Sequence, residues 1–226
     1  MKKLLLFIGV IMSIPAMLSA NERNISESTV QDAEGNTYRT VQIGNQTWFA
    51  ENLRSTRFRD GSKIPTAFIP NDEEENLLKY GRLYDWRDVS DERNICPVGW
   101  RVATDVDWKE LEKTIGMAEE DIDKKGWRGD GLAITLKEVQ PDTMFSKFDQ
   151  SQVNKFKFSV RPAGIKWKRW YFVQGMYTEF WTASEATEAK AYNRTFAHSC
   201  WNWHKGKIYR STLSKDYMFS VRCIKD

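Results

Sequence analysis

Two short segments carry most of the side chains that could recognise a ligand. Lys166-Trp167-Lys168-Arg169-Trp170 interleaves cations with large rings, and Trp201-Asn202-Trp203-His204 sets rings beside hydrogen-bonding groups. Exposed rings flanked by polar groups hold sugar faces and peptide surfaces, since the ring offers flat apolar area while its neighbours orient the ligand. The candidate ligand-binding residues are Trp167, Trp170, Trp201, Trp203 and His204, with Lys168, Arg169 and Asn202 to orient a polar group. The competing reading buries some of these rings on alternating strand positions. Both segments read as loop-like insertions between strands. Loops at one end of a sheet often converge, so the five residues are expected to lie close together.

Catalytic chemistry is thinly supplied. His198 and His204 are the only histidines, and a nucleophile needs an adjacent base. Ser199-Cys200 follows His198, but neighbouring side chains on a strand point to opposite faces. No catalytic residue is assigned, and the chain is expected not to be an enzyme. Three Cys and two His at these spacings do not form a structural zinc site. Gln140-Pro141-Asp142 could offer hard oxygen ligands to calcium, but Trp201-Asn202-Trp203 lacks the carboxylate that a second ligand cluster needs. Asp32, Glu34 and Asn36 alternate as in a calcium loop without the distal Glu of an EF-hand, so a turn is expected there. The run Asp72 to Glu75 reads as a solvated face or a helix start. No metal and no cofactor are expected.

The 226 residues suit one domain or two small ones. Met1 to Ala20 reads as a secretory leader: Lys2 and Lys3 precede the apolar run Leu4 to Met12, Pro15 breaks it, and Ser19-Ala20 suits cleavage. The run is too short to span a bilayer comfortably, so the processed chain is expected to carry no transmembrane anchor and to be secreted, extracellular or periplasmic. Without the leader, 32 basic residues face 31 acidic ones. Cations beside stacking rings suit single-stranded nucleic acid, but export and this neutral balance argue against a nucleic-acid partner. In an oxidising compartment the thiols Cys96, Cys200 and Cys223 allow one bridge with one thiol left over.

The elements that must position these residues are short. Residues 21–30 read as a polar tail. Tyr38, Val41 and Ile43, then Gly44-Asn45, then Trp48 and Phe49 signal a hairpin. Thr104 is a helix N-cap, Trp108, Leu111 and Ile115 share one face, and Gly116 stops the helix. A second helix is expected between Leu132 and Val139. Strands are expected over 157–161, 170–173, 180–184, 191–197, 207–211 and 219–224. The 10 Trp include Trp48, Trp100, Trp108 and Trp181, which belong in the core. The fold class is α+β, loop-rich, with short antiparallel strands and one or two helices.

Several segments in order resemble one family. Asp32-Ala33-Glu34-Gly35-Asn36-Thr37-Tyr38, Thr40 to Leu53, Tyr80-Gly81-Arg82-Leu83-Tyr84-Asp85-Trp86 and Cys96-Pro97-Val98-Gly99-Trp100-Arg101 are similar to the opening half of the Fibrobacter succinogenes major paralogous domain. Phe180-Trp181-Thr182-Ala183-Ser184-Glu185 and Phe219 to Asp226 are similar to its second half, while Val102-Ala103 departs from the family's usual Leu-Pro. The resemblance implies a domain over 31–226 in a secreted bacterial protein. It also implies a Cys96–Cys223 disulfide, since both thiols lie in the matching motifs. At greater distance the order of motifs resembles C-type-lectin-like folds, including the branch around formylglycine-generating enzymes. The expected role is an exported, cell-surface-associated binding module with a glycan or a protein as partner. The alternatives are an enzyme related to formylglycine-generating oxidases, whose paired late Cys are lacking beside Cys200, and an envelope structural protein without a small ligand.

Overall fold

The computed structural model describes residues 28–138, 149–198, 204 and 206–226. Strands β1 (Ser28–Gln31), β2 (Thr37–Ile43) and β3 (Gln46–Phe49) open the chain, followed by β4 (Ala67–Phe68), α1 (Glu75–Tyr80), β5 (Leu83–Asp85) and α2 (Trp86–Val89). Next come β6 (Trp100–Val102), α3 (Asp105–Thr114), α4 (Glu119–Ile122) and β7 (Gly126–Arg128). The second half holds β8 (Ile165–Trp167), β9 (Trp170–Phe172), β10 (Tyr177–Thr187), β11 (Lys190–Ala197), β12 (Ile208–Ser214), β13 (Tyr217–Phe219) and β14 (Cys223–Lys225). Three sheets result, in the orders β1-β2-β3-β14-β6, β10-β11-β12-β7 and β4-β5-β13-β8-β9. Their named strands pair antiparallel, and the fold is a loop-rich α+β arrangement. No helix among the described residues is long and apolar enough to cross a membrane.

The local signals translate directly. The β2–β3 hairpin turns at Gly44-Asn45, with Ile43 facing Gln46 and Val41 facing Trp48. Gly44 has φ +60°, and a Cβ there would meet the Thr114 side chain at 2.9 Å, so a larger residue would push the hairpin off α3. Helix α3 starts on a capping box: the Asp107 amide donates to the Thr104 hydroxyl, and the Thr104 amide to the Asp107 carboxylate. Its apolar face brings Trp108 within 5.2 Å of Trp48 and 5.4 Å of Phe180, ring centre to ring centre. Trp48, Trp100, Trp108 and Trp181 are all core residues. The Asp32 carboxylate accepts from the Glu34 and Asn36 amides and the Tyr38 hydroxyl, which makes the expected turn.

Several boundaries differ from the sequence expectation. The polar tail gives way to β1, where Thr29 and Val30 pair with Arg39 and Tyr38. Four α-helices are present among the described residues instead of one or two. Three of them span only four to six residues, too few for a periodic apolar face to register. The segment expected as a helix over 132–139 forms a 3₁₀ turn at Leu132–Leu136. Residues 157–161 are not a strand, because Lys157 and Ser159 have φ +53° and +55°, which breaks the pleat. The single strand expected over 219–224 is two strands in different sheets, β13 and β14. Between them Arg222 turns inward, and its buried guanidinium donates to Asn52 Oδ1 and to the carbonyls of Phe49, Phe158 and Ser159. A cation that must reach four acceptors inside the core cannot also sit in a regular ladder.

Candidate functional site

Trp167 and Trp170 lie on the β8–β9 hairpin, which turns over Lys168 and Arg169. Trp167 is half-buried and stacks on Tyr217 at 6.1 Å, while Lys168 Nζ stands 4.6 Å from its ring centre. Trp170 is 56% exposed, with the Arg169 guanidinium 4.8 Å from its ring centre. Strand alternation puts Phe172 on the same face as Trp170. Phe172 is 43% exposed, and Val173 (37%) and Met176 (44%) continue the apolar surface beyond it. The opposite face is tied down. Lys166 Nζ lies 3.8 Å from the Tyr171 ring centre, and the Tyr171 hydroxyl donates to Asp72. Burial, with the Asp72 carboxylate beside it, raises the Tyr171 pKa, so this hydroxyl stays a donor. The Asn71 side chain donates to Gln174 just past the strand. β9 is the edge of its sheet.

His204 lies elsewhere. Its ring stacks on Trp127 of β7 at 4.8 Å and 9°, and Trp127 also meets Tyr209 at 4.9 Å. Bridge and ladder partners run Gly164, Thr178, Phe196, Ile208, Arg128 across the molecule. Four steps of about 4.8 Å put the base of the hairpin roughly 19 Å from the strand that carries Trp127. Trp167 and Trp170 therefore share one surface, and His204 belongs to another. The expected convergence fails for these three because strands β10, β11 and β12 stand between the hairpin and β7. Trp201, Trp203, Asn202, Cys200 and the tripeptide Gln140-Pro141-Asp142 lie outside the described residues.

The Trp127 surface borders a cleft of about 340 Å³, whose walls include Asp121, Lys124, Lys125, Arg128, Asp130 and Lys207. Sequence reasoning missed it. Trp127 sits in a three-residue strand without a longer pattern around it. Behind the cleft, and equally unanticipated, Asp105 and Glu112 of α3 meet Arg128, Arg194 and Arg210 of the facing sheet in a buried ion network. The helical spacing held one signal, since Glu112 falls on the same face as Trp108 and Ile115.

Two buried titratable groups outside that network are strongly shifted. Burial pushes His198 down to about 3, helped by the Lys137 charge, and its Nε2 lies 3.1 Å from the Val160 carbonyl. Burial pushes Glu179 up to about 7, against hydrogen bonds from Thr195 and Asn193. The two groups oppose each other in stability. Folded Glu179 keeps a proton that the unfolded chain releases above about 4.3, so stability falls as pH rises from there to about 7. Folded His198 refuses a proton that the unfolded chain takes below about 6.5, so stability falls as pH drops from there towards 3. Between about pH 4.5 and 6.5 the two slopes cancel. Thermal melts of the native protein should be nearly flat over that interval, and those of Glu179→Gln should rise with pH. Parallel profiles would contradict the assignment of Glu179.

Among the described residues no group of three or more His, Cys, Asp and Glu is arranged to hold a metal ion. Cys96 and Cys223 form a disulfide, as the family resemblance implied. No curated protein and no solved structure matches the chain, so the more distant likeness to C-type-lectin-like folds gains no support. One family model does match, that of the Fibrobacter succinogenes major domain, over residues 41–225. It takes in all three sheets apart from β1 and the start of β2, together with the disulfide, the hairpin and the cleft, and the chain belongs to that family.

Proposed function

We propose that this chain is an exported, non-enzymatic binding module that engages a protein partner through the β8–β9 hairpin. One observation carries the reading: within seven residues, β9 and the turn after it expose four large apolar side chains, Trp170, Phe172, Val173 and Met176. Scattered apolar side chains are normal on a surface, whereas a contiguous patch marks an interaction site. Arg169 against Trp170 and the Tyr171–Asp72 contact hold this strand in place, which lowers the ordering cost of binding. Phe172, Val173 and Met176 offer no partner to sugar hydroxyls, and Met packs readily against irregular protein surfaces, so a protein fits better than a glycan. Export is supported by the leader pattern and by the buried disulfide, which persists in oxidising compartments.

The test is capture from the exported and envelope protein fraction of the source cell. The native chain should retain a partner that Trp170→Ala plus Phe172→Ala loses by tenfold or more, with the melting temperature unchanged. Equal capture by the double variant would place the binding surface elsewhere, and retention of polysaccharide in place of protein would overturn the choice of partner.

A further inference from the structure

The cleft beside β7 is a second site, remote from the hairpin and independent of it. Its volume of about 340 Å³ falls at the small end of ligand-binding clefts. Trp127 forms part of its wall, and the ring is held in place by the His204 stack and the tilted Tyr209. A fixed, partly exposed indole suits the apolar face of a sugar ring.

The charge around this ring is lopsided. Four cationic side chains line the cleft, Lys124, Lys125, Arg128 and Lys207, against two anionic ones, Asp121 and Asp130. The Lys124–Asp121 and Lys207–Asp130 pairs, at 2.8 and 3.0 Å, fix where two of the ammonium groups stand. Each pair has one largely exposed member, Lys124 and Asp130, and such partly solvated ion pairs are weak enough to be exchanged for a ligand anion. Arg128 is 4% exposed and donates from Nη2 to Glu112 and from Nη1 to the Ile122 carbonyl, while its Nε has no hydrogen-bond partner among the described residues. Buried under the cleft, the Arg128 guanidinium adds fixed positive potential to it. The surplus is local, since the chain outside its leader is close to neutral. That favours recognition of one charged unit held in the cleft over neutralisation of an extended phosphate backbone as in nucleic acid.

We propose that this cleft binds an anionic sugar unit of a polysaccharide, its ring against Trp127 and its carboxylate or sulfate among Lys124, Lys125 and Arg128. Hexagalacturonate, a sulfated hexasaccharide of the heparin type and neutral cellohexaose are the probes, with binding read by titration calorimetry. At least one anionic hexasaccharide should bind saturably, and at least tenfold tighter than cellohexaose; which of the two binds identifies the acid group. Lys124→Glu plus Lys125→Glu, both on the surface, should weaken that binding tenfold or more. The hairpin variant Trp170→Ala plus Phe172→Ala should bind as the native protein does, which separates this site from the one proposed above. Trp127→Ala should also lose binding if it folds; if it does not, the charge-reversal pair decides. No saturable binding of either anionic probe, equal affinity for cellohexaose, or full affinity in the charge-reversal variant would each overturn the proposal.

Discussion

Reduction of the Cys96–Cys223 bridge should lower the melting temperature by about 10–20 °C, the largest effect expected of any single covalent change in this chain. The two thiols are 127 residues apart in sequence. In the chain-entropy account, closing a loop of that length removes freedom from the unfolded chain equivalent to about 5 kcal/mol. For a domain of this size each kcal/mol moves the midpoint by roughly 2–4 °C. The bridge also acts where the fold is most non-local. Cys223 opens β14, which lies between β3 and β6, so the last strand completes a sheet begun by the first ones. Without the crosslink that strand must be recruited from the far end of the chain. Both sulfurs are buried, so the native protein should resist mild reductant, and the comparison should use Cys96→Ser plus Cys223→Ser. Calorimetry in the two backgrounds measures the shift, and a change below about 3 °C would contradict the entropic argument. Non-reducing peptide mapping checks the pairing itself, and a Cys200–Cys223 peptide would refute it.

What the sequence made legible was whatever a few adjacent residues decide. The Gly44-Asn45 turn, the Thr104 cap and the 108, 111, 115 face each follow from backbone preference and side-chain spacing within one element. The large rings at Trp48, Trp100, Trp108 and Trp181 announced a core because their area has few other uses. Long-range decisions were not legible. Nothing near Arg222 indicates that carbonyls of Phe49 and Phe158 will draw it inward and split a strand in two. The positive φ of Lys157 and Ser159 is likewise imposed from outside, in part by Asn154, whose Oδ1 accepts the Ser159 amide proton. The candidate site divided for the same reason. Trp167, Trp170 and His204 are all in ring-rich segments, but which edges those segments occupy depends on strand order, and strand order is set by pairings across the whole chain. Trp127 had no neighbouring ring in sequence; its partners, His204 and Tyr209, arrive about 80 residues later.

Glu112→Ala should destabilise the domain by about 3–5 kcal/mol, through charges left behind and not through the volume removed. Glu112 is fully buried on α3, and its Oε1 accepts from Arg194 Nε at 2.6 Å and from Arg128 Nη2 at 3.0 Å. Asp105, about two turns earlier, accepts from Arg194 Nη1 at 2.7 Å and from Arg210 Nη2 at 2.6 Å. Three guanidinium groups thus share two carboxylates between the helix and the sheet. Removing one carboxylate leaves Arg128 and Arg194 buried, and only Asp105 remains within reach of Arg194. The network as a whole need not be strongly favourable, because Glu112 Oε2 and Arg194 Nη2 have no hydrogen-bond partners among the described residues. Breaking it from one side is nevertheless costly, since desolvated cations cannot be neutralised easily. Glu112→Gln keeps the shape and one acceptor, so it should cost less than Glu112→Ala. An equal loss in the two variants would mean that geometry, not charge, holds the helix to the sheet. Acid should act on the same network through Asp105. Burial raises its pKa, but the hydrogen bonds and charges of Arg210 and Arg194 outweigh burial and hold it below the usual range. Its contribution is therefore complete above about pH 4 and is lost as the pH falls through the depressed folded value. Urea unfolding at pH 7 and pH 3 reads both effects. A loss under 1 kcal/mol for Glu112→Ala at pH 7 would show that water or the nearby Asp121 carbonyl already compensates the two cations.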